Sequence, residues 1–472
     1  MPTARSPLAL GRSSGRSRPI NPARLVNLYA EPAPESSISP WVLYGTPGQK
    51  AFTTAGSEDI RCGLEALGAA YALSGTTVYR IDSAGNATAC TGAAVSSTGS
   101  AMMKSNGVQL GILVNGRLFY IAAATPTVVT EVTDAQYPAE GASSFDFING
   151  YGALTKGGTD GEWFLTDSYD FSAIDAADFA TAESAPDGLP RLLANHNEVW
   201  LFGNKTTEVW AESASVFPFD PIPGSLMDRG IAAPLSAALM DNSVFWIGDD
   251  RIVYRANGYT PQRVSTFAVE EILRAGTISD AEASTHAIGG HHFYVLRFPT
   301  LDRTLALDAS NGIWHERQSG TAVTPAAWDV LCIFNAFGKT LVGLADGAIR
   351  ELDLDTYLDG TTQIRRVITS FPAYANGKRT ILRRMELECE LGVGLTTGQG
   401  STPQWMLRKS NDGGFTYGNE KFASAGATGA RRARLMWDQL GMFRNGAVEL
   451  SIADPVKVAV YGGGYEVEGL GA

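Results

Sequence analysis

The residues of this chain that could do chemistry are few and scattered. In "GGTDGEWFLTDSYD", four carboxylates stand close together, at Asp160, Glu162, Asp167 and Asp170. A glycoside hydrolase needs only two carboxylates facing one cleft. Acids in a glycine-rich loop are more simply solvated, however, and nothing in the spacing selects a pair. His291-His292 suggests a metal pair, but neighbours on a strand point to opposite faces and rarely share an ion. The other histidines, at 196, 286 and 315, are dispersed. The run "DLDTYLDG", 353–360, begins like a calcium loop and then places Tyr357 where the third oxygen ligand belongs. No GxxxxGK(S/T) or GxGxxG occurs. The expectation is a protein with no catalytic residues, no cofactor and no metal.

One stretch argues harder for chemistry. "RKSNDGGFTYGNE", 408–420, contains Ser-x-Asp-x-Gly-x-x-aromatic, a turn that resembles the Asp-box of the sialidase propellers. A sialidase also needs arginines to clamp a carboxylate, a tyrosine made nucleophilic by a glutamate, and an aspartate for acid–base work. Sialidases further carry an Arg-Ile-Pro signature and several boxes spread over their blades. Here the box is single and no Arg-Ile-Pro occurs. The turn has its own structural explanation. Ser410 and Asp412 can accept backbone amides, Gly413 and Gly414 tolerate unusual φ, and Tyr417 can pack underneath.

What would position such residues is a β-rich scaffold. A chain of 472 residues exceeds one ordinary core, so two or three domains are expected. It is 44% apolar and 18% charged, a globular balance, and its 52 glycines with abundant Thr, Val, Tyr and Trp favour short strands and tight turns. Cys62, Cys90, Cys332 and Cys389 are too few and too far apart to staple it, and buried thiols are expected. No run of 18 apolar residues suggests a membrane span.

From about 60 to 355 the chain repeats a rhythm: an apolar run, a turn with Gly, Asn or Asp, then a second, often aromatic run. "LGILVNGRLFYIA" and "AFGKTLVGLADGAIRELDL" are examples. The turns Val114-Asn115-Gly116-Arg117, Gly248-Asp249-Asp250-Arg251 and Ala345-Asp346-Gly347-Ala348 fit hairpins. Units recur every 35 to 50 residues or so, the length of a propeller blade. The fold expected is all-β: a diverged propeller of six or seven blades over 51–360 and a β-sandwich over 361–472. A pair of sandwiches is the other architecture compatible with the pattern. In "RRMELECELGVGL", Met385, Leu387, Cys389 and Leu391 alternate with charged residues, as in a half-buried strand. Trp200, Phe202, Trp210, Phe217 and Phe219 could stack sugars or bases, but their alternation better suits blade packing. One helix is expected in "STFAVEEILRAG", capped by Ser265, with Phe267, Ile272 and Leu273 apolar and Gly276 ending it.

Charge divides the chain. The net charge is −12, yet residues 361–472 hold 14 basic against 10 acidic residues, leaving 23 against 39 over 1–360. That is not the continuous basic stripe of a duplex-gripping protein. Residues 1–50 are expected to be an extended, irregular basic arm whose later part donates a strand to close the ring. Arg5, Arg12, Arg16, Arg18 and Arg24 are its candidate contacts to an acidic face of a partner.

Several segments, taken in order, resemble one family. They are "INPARLVNLYAE", "EVWLFGNKTTEVWAES", "VFWIGDDRIVYRANGYTPQRVST", "FYVLRFPTLDRTLALDASNGIWHER", "MELECELGVG", "RKSNDGGFTYGNE" and "WDQLGMFRNGAVELSIADP". Together they are similar to the packaged-DNA stabilisation proteins, the tail hub or nozzle proteins of short-tailed bacteriophages. The resemblance implies a structural virion protein assembled in the bacterial host cytoplasm as a homo-oligomeric ring, a hexamer. Such a ring attaches below the portal and its head-to-tail adaptor and closes the DNA exit channel after packaging. It carries a tail needle or plug and the fibres or spikes, and genomic DNA passes without sequence-specific binding. No small-molecule substrate and no catalytic residues are implied. A propeller glycan hydrolase of sialidase-like architecture is the alternative. A cellular scaffold of WD repeats fits less well, because the "WD" pairs at 328–329 and 437–438 are not periodic.

Overall fold

The structure is a computed structural model that describes residues 4–5, 8–12, 21–158, 161–182, 187–370 and 379–469. Six four-stranded antiparallel units follow one another at 60–89, 101–131, 142–181, 191–221, 238–263 and 282–317. A seventh combines 332–353 with the strand Gly48–Thr54. Tight turns join the strands. Asn115 and Gly116 both take left-handed φ, 47° and 78°, and pairing resumes directly from Val114 to Arg117. Such turns match the right-handed twist of the strands they connect.

The first strand of the first unit, Ile60–Ala66, lies beside both Ala101–Ser105 of the second and Cys332–Ala336 of the seventh. The units therefore close into a seven-bladed β-propeller, which excludes a pair of sandwiches for this part of the chain. Apolar layers fill the wedges between blades. Tyr71 and Leu73 meet Ile112 and Phe119 between the first and second blades. The aromatic residues of the fourth blade serve both of its faces. Phe202 lies 5.7 Å from Trp246 of the fifth blade, and Trp210 and Phe217 lie 5.4 and 4.9 Å from Trp163 of the third. Each fully buried ring among them stabilises by about 1.5–3 kcal/mol, and the partly buried Phe217 packs on the same cluster.

The ring closes between strands distant in sequence. Gly48–Thr54 pairs with Ala348–Asp353, from Gly48↔Asp353 to Thr54↔Ala348, as the outer strand of the seventh blade. The N-terminal stretch thus donates a strand, starting at Gly48.

The C-terminal part is a β-sandwich. One sheet runs Leu28–Pro32, Trp41–Gly45, Ala459–Gly469, Thr380–Cys389, Leu435–Phe443. The other contains Arg366–Ser370, Ala447–Ile452, Gln404–Ser410 and Lys421–Ser424. Met385, Leu387 and Cys389 face the core with Trp405, Leu407, Trp437 and Leu450. Leu25, Leu28 and Leu43 belong to that same core. Residues 21–50 are therefore built into the sandwich and the last blade, unlike the irregular arm expected from their prolines. Pro34 and Pro40 sit in the turn between two strands, where a missing N–H disrupts no ladder.

The second sheet does not end at the sandwich. Leu25–Val26 pairs with Arg366–Ser370 on one side and, through Val26↔Glu316, with Ile313–Arg317 of the sixth blade on the other. Blade and sandwich sheet become one nine-stranded sheet.

The helix spans Phe267–Ala275 with Thr266, not Ser265, as its N-cap: Thr266 Oγ1 accepts from Val269 N. Ser265 Oγ instead accepts from Val253 N and donates to Glu270. Phe267 is 74% exposed, beneath the Arg263 guanidinium rather than in the core.

Candidate functional site

A dense polar construction lies at the seam where the N-terminal segment meets both domains. It starts from Glu316, the penultimate strand residue of the sixth blade, whose side chain is 4% exposed. A carboxylate so buried must be paired or protonated. Arg12 and Arg24 both donate to it, Arg24 from Nε at 3.0 Å and from Nη2 at 3.3 Å. Burial alone would push the Glu316 carboxyl up, but the two guanidiniums hold it below the ordinary glutamate range. Main-chain bonds run alongside: Ala9 N to Thr369 O, Arg12 N to Trp314 O, and Thr369 N to Arg24 O.

Asn27 completes the seam. Its φ of 53° is the left-handed conformation that Asn tolerates better than branched residues. Its side-chain Nδ2 donates to Gln318 O at 2.8 Å and Arg365 O at 2.9 Å, and its Oδ1 accepts from Gln318 N. One buried amide thereby bridges the end of the sixth blade and the beginning of the sandwich. Farther along, Glu31 reaches His291 Nε2 at 3.3 Å, while His291 Nδ1 lies 2.6 Å from Asp308.

The Ser410–Tyr417 turn belongs to the same seam. Asp412 Oδ1 accepts from Phe415 N and Thr416 N, Asp412 Oδ2 from the Thr416 hydroxyl, and Ser410 Oγ from Gly414 N. The Thr416 hydroxyl and amide, with Ser410, hold the Asp412 carboxyl well below the usual aspartate range. Gly413 and Gly414 take φ of 74° and 90°. A Cβ on Gly414 would stand 2.5 Å from Pro22, so the turn is pressed against the N-terminal segment. Tyr417 lies under the Arg408 guanidinium, whose carbon is 4.7 Å from the ring centre. The groove beside the turn, about 450 Å³, holds Lys409 and Lys421, which donate to Met442 O and Gln439 O. These contacts position backbone; they assemble no nucleophile and base.

The basic residues fare differently from one another. Arg12 and Arg24 turn inward to Glu316 and are not presented to a partner, because that buried acid requires them. Arg5 lies in Ala4–Arg5, which pairs with Ala459–Gly469, and Arg16 and Arg18 lie outside the described residues. Of the acids, Glu162 pairs with Lys156, and Asp170 accepts from Gln109 and Ser172. Asp160 lies outside the described residues. Asp353 of the calcium-like run accepts from Asp355 N and the Thr356 hydroxyl, an ordinary Asx turn. Among the described residues no three His, Cys, Asp or Glu side chains gather as a metal site.

Sequence reasoning missed Glu316, Asn27 and Pro22 as seam residues. A polar Asn inside the apolar run "RLVNLYA" and an acid inside "IWHER" were the available signals.

Two family models match the chain in tandem: "Bacteriophage P22 Gp10, beta-propeller" over residues 5–357 and "Bacteriophage P22 Gp10, beta-sandwich" over 365–468. No curated protein matches in sequence. Similar solved structures include a streptogramin B lyase, at 10% identity, TM-score 0.40 and coverage of 69% of this chain and 98% of that one. The virginiamycin B lyase of Staphylococcus aureus gives 12%, 0.41, 66% and 98%, and the N-terminal domain of Nup159 gives 9%, 0.42, 68% and 97%. With TM-scores below 0.5, these likenesses carry no inference for this chain.

Proposed function

The chain belongs to the bacteriophage P22 Gp10 family, which makes it a structural protein of a phage tail and a virion component; from that premise we propose that it is the tail hub, or nozzle. In this reading six copies form a ring below the head-to-tail adaptor, close the DNA exit channel after packaging, and carry the needle or plug and the fibres or spikes. Its work is mechanical rather than enzymatic.

The observation that carries the reading is the seam. A segment threaded through both domains makes propeller and sandwich one unit, and a ring under the pressure of packaged DNA needs units that do not hinge. Charge supports the same reading. Six copies at −12 each sum to about −72, a field that opposes adhesion of DNA phosphates wherever acids face the channel. The test is DNA retention. Particles assembled without this protein should package DNA and then lose it, whereas particles that keep their DNA would overturn the closure role.

A further inference from the structure

The propeller has a cavity on its axis that the hub reading does not use. It holds about 340 Å³, within the range of roughly 300–1,000 Å³ typical of small-ligand sites. Residues at or near the starts of innermost strands line it, from five blades and the approach to a sixth: Arg61, Met102, Arg191, Glu282 and Cys332, with Ala237 just before the fifth blade's first strand.

Its charges are not matched. Arg61 is engaged by backbone carbonyls, at 2.9 Å to Gly75, 3.0 Å to Thr98 and 2.7 Å to Gly99, and also by Ser96. Arg297 pairs with Glu282 at 2.8 Å. Arg191 is different. It is 91% buried, yet among the described residues its guanidinium meets only Met102 Sδ at 2.9 Å and Ser144 Oγ at 3.4 Å. Its Nε has no hydrogen-bond partner. The nearby acid, Asp146, is already taken by Lys104 Nζ at 2.8 Å and by Ala194 N at 3.1 Å. Counting Arg61, Arg191 and Arg297 against Asp59 and Glu282, the lining has one positive charge in excess.

A guanidinium does not shed its proton in a protein, and a buried cation without a counter-charge is strongly disfavoured. Its flat fork of donors matches two oxygens of a carboxylate or a phosphate. We infer that the axial cavity is a binding site for one small oxyanion, a carboxylate or phosphate, anchored on Arg191. Arg191 opens the first strand of the fourth blade and touches Met102 of the second and Ser144 of the third. An anion on it draws three blades together at the axis.

The experiment is calorimetric titration of the full chain with inorganic phosphate and, separately, citrate, at ionic strength fixed with sodium chloride. One saturable site per chain is expected, with affinity reduced at least about tenfold in Arg191→Met. Ser284→Phe, which adds a bulky ring to the cavity lining and leaves Arg191 in place, should also remove binding and covers the case in which Arg191→Met fails to fold. Binding of citrate alone identifies a carboxylate site, and binding of phosphate alone a phosphate site. No saturable binding of either anion, or equal binding by wild type and both variants, would overturn the inference.

Discussion

Two buried arginine environments can be set side by side. At the seam, Arg12 and Arg24 converge on Glu316, and every group has a partner of opposite charge. On the propeller axis, Arg191 is more deeply buried and faces a sulfur and a hydroxyl. The first arrangement seats both guanidiniums on a carboxylate of the same chain, with Arg12 Nε alone left without a hydrogen-bond partner, and it holds. The second lacks its counter-charge and is built to receive one. Burial of charge alone does not distinguish a lock from a site; the state of the pairing does.

The largest effect should come from breaking the paired cluster. Glu316→Gln leaves two guanidiniums buried without their acid, and removing one partner of a buried pair costs about 3–5 kcal/mol. Denaturant unfolding should show that loss, with the sandwich and propeller signals separating where the wild type unfolds in one transition. Asn27→Ala removes one amide that serves three backbone groups, two of them carbonyls left without their donor. A loss of about 2 kcal/mol is expected, by the same measurement.

The sixth blade offers a pH test of whether buried bases near the seam stay neutral. Burial, helped by Arg317, pushes His286 and His315 down to about 3. Below an ordinary histidine value near 6.5, the unfolded chain takes up protons that the folded chain refuses, so stability falls with falling pH from about 6.5 toward 3. His286→Gln should flatten that slope by about 1.4 kcal/mol per pH unit, read from unfolding curves between pH 6 and 4. An unchanged slope would mean that His286 is protonated in the fold.

Arg191→Met sharpens the comparison from the other side. Replacing an unmatched buried cation by an apolar chain of similar length should change stability by less than about 1 kcal/mol in anion-free buffer, or raise it. A loss as large as that of Glu316→Gln would show that Arg191 is satisfied within the chain. The smallest effect is expected from Phe267→Ala, within about 0.5 kcal/mol, because this ring lies on the surface.

Much of this was legible in the sequence, for definite reasons. Blades announce themselves locally: Asn115-Gly116 sets a turn, and the alternation in Val199–Phe202 sets two faces. The Met385, Leu387, Cys389 pattern likewise marks a strand with one buried side. The seam was not legible, because its contacts join residues some 300 positions apart, such as Arg24 and Glu316. A basic N-terminal stretch looks like a free arm until the buried acid that it serves is known. Ser265 and Thr266 are equally good caps by type, and only the backbone turn at Thr266 decided between them. Arg191 carried no signal, since an arginine beginning the strand Arg191–Asn195 reads as an ordinary solvated residue.

The hub reading is tested most directly by negative-stain microscopy of the full chain mixed with its head-to-tail adaptor. Rings of six copies seated on the adaptor are the predicted result. Free monomers in the presence of a correctly assembled adaptor would contradict the account.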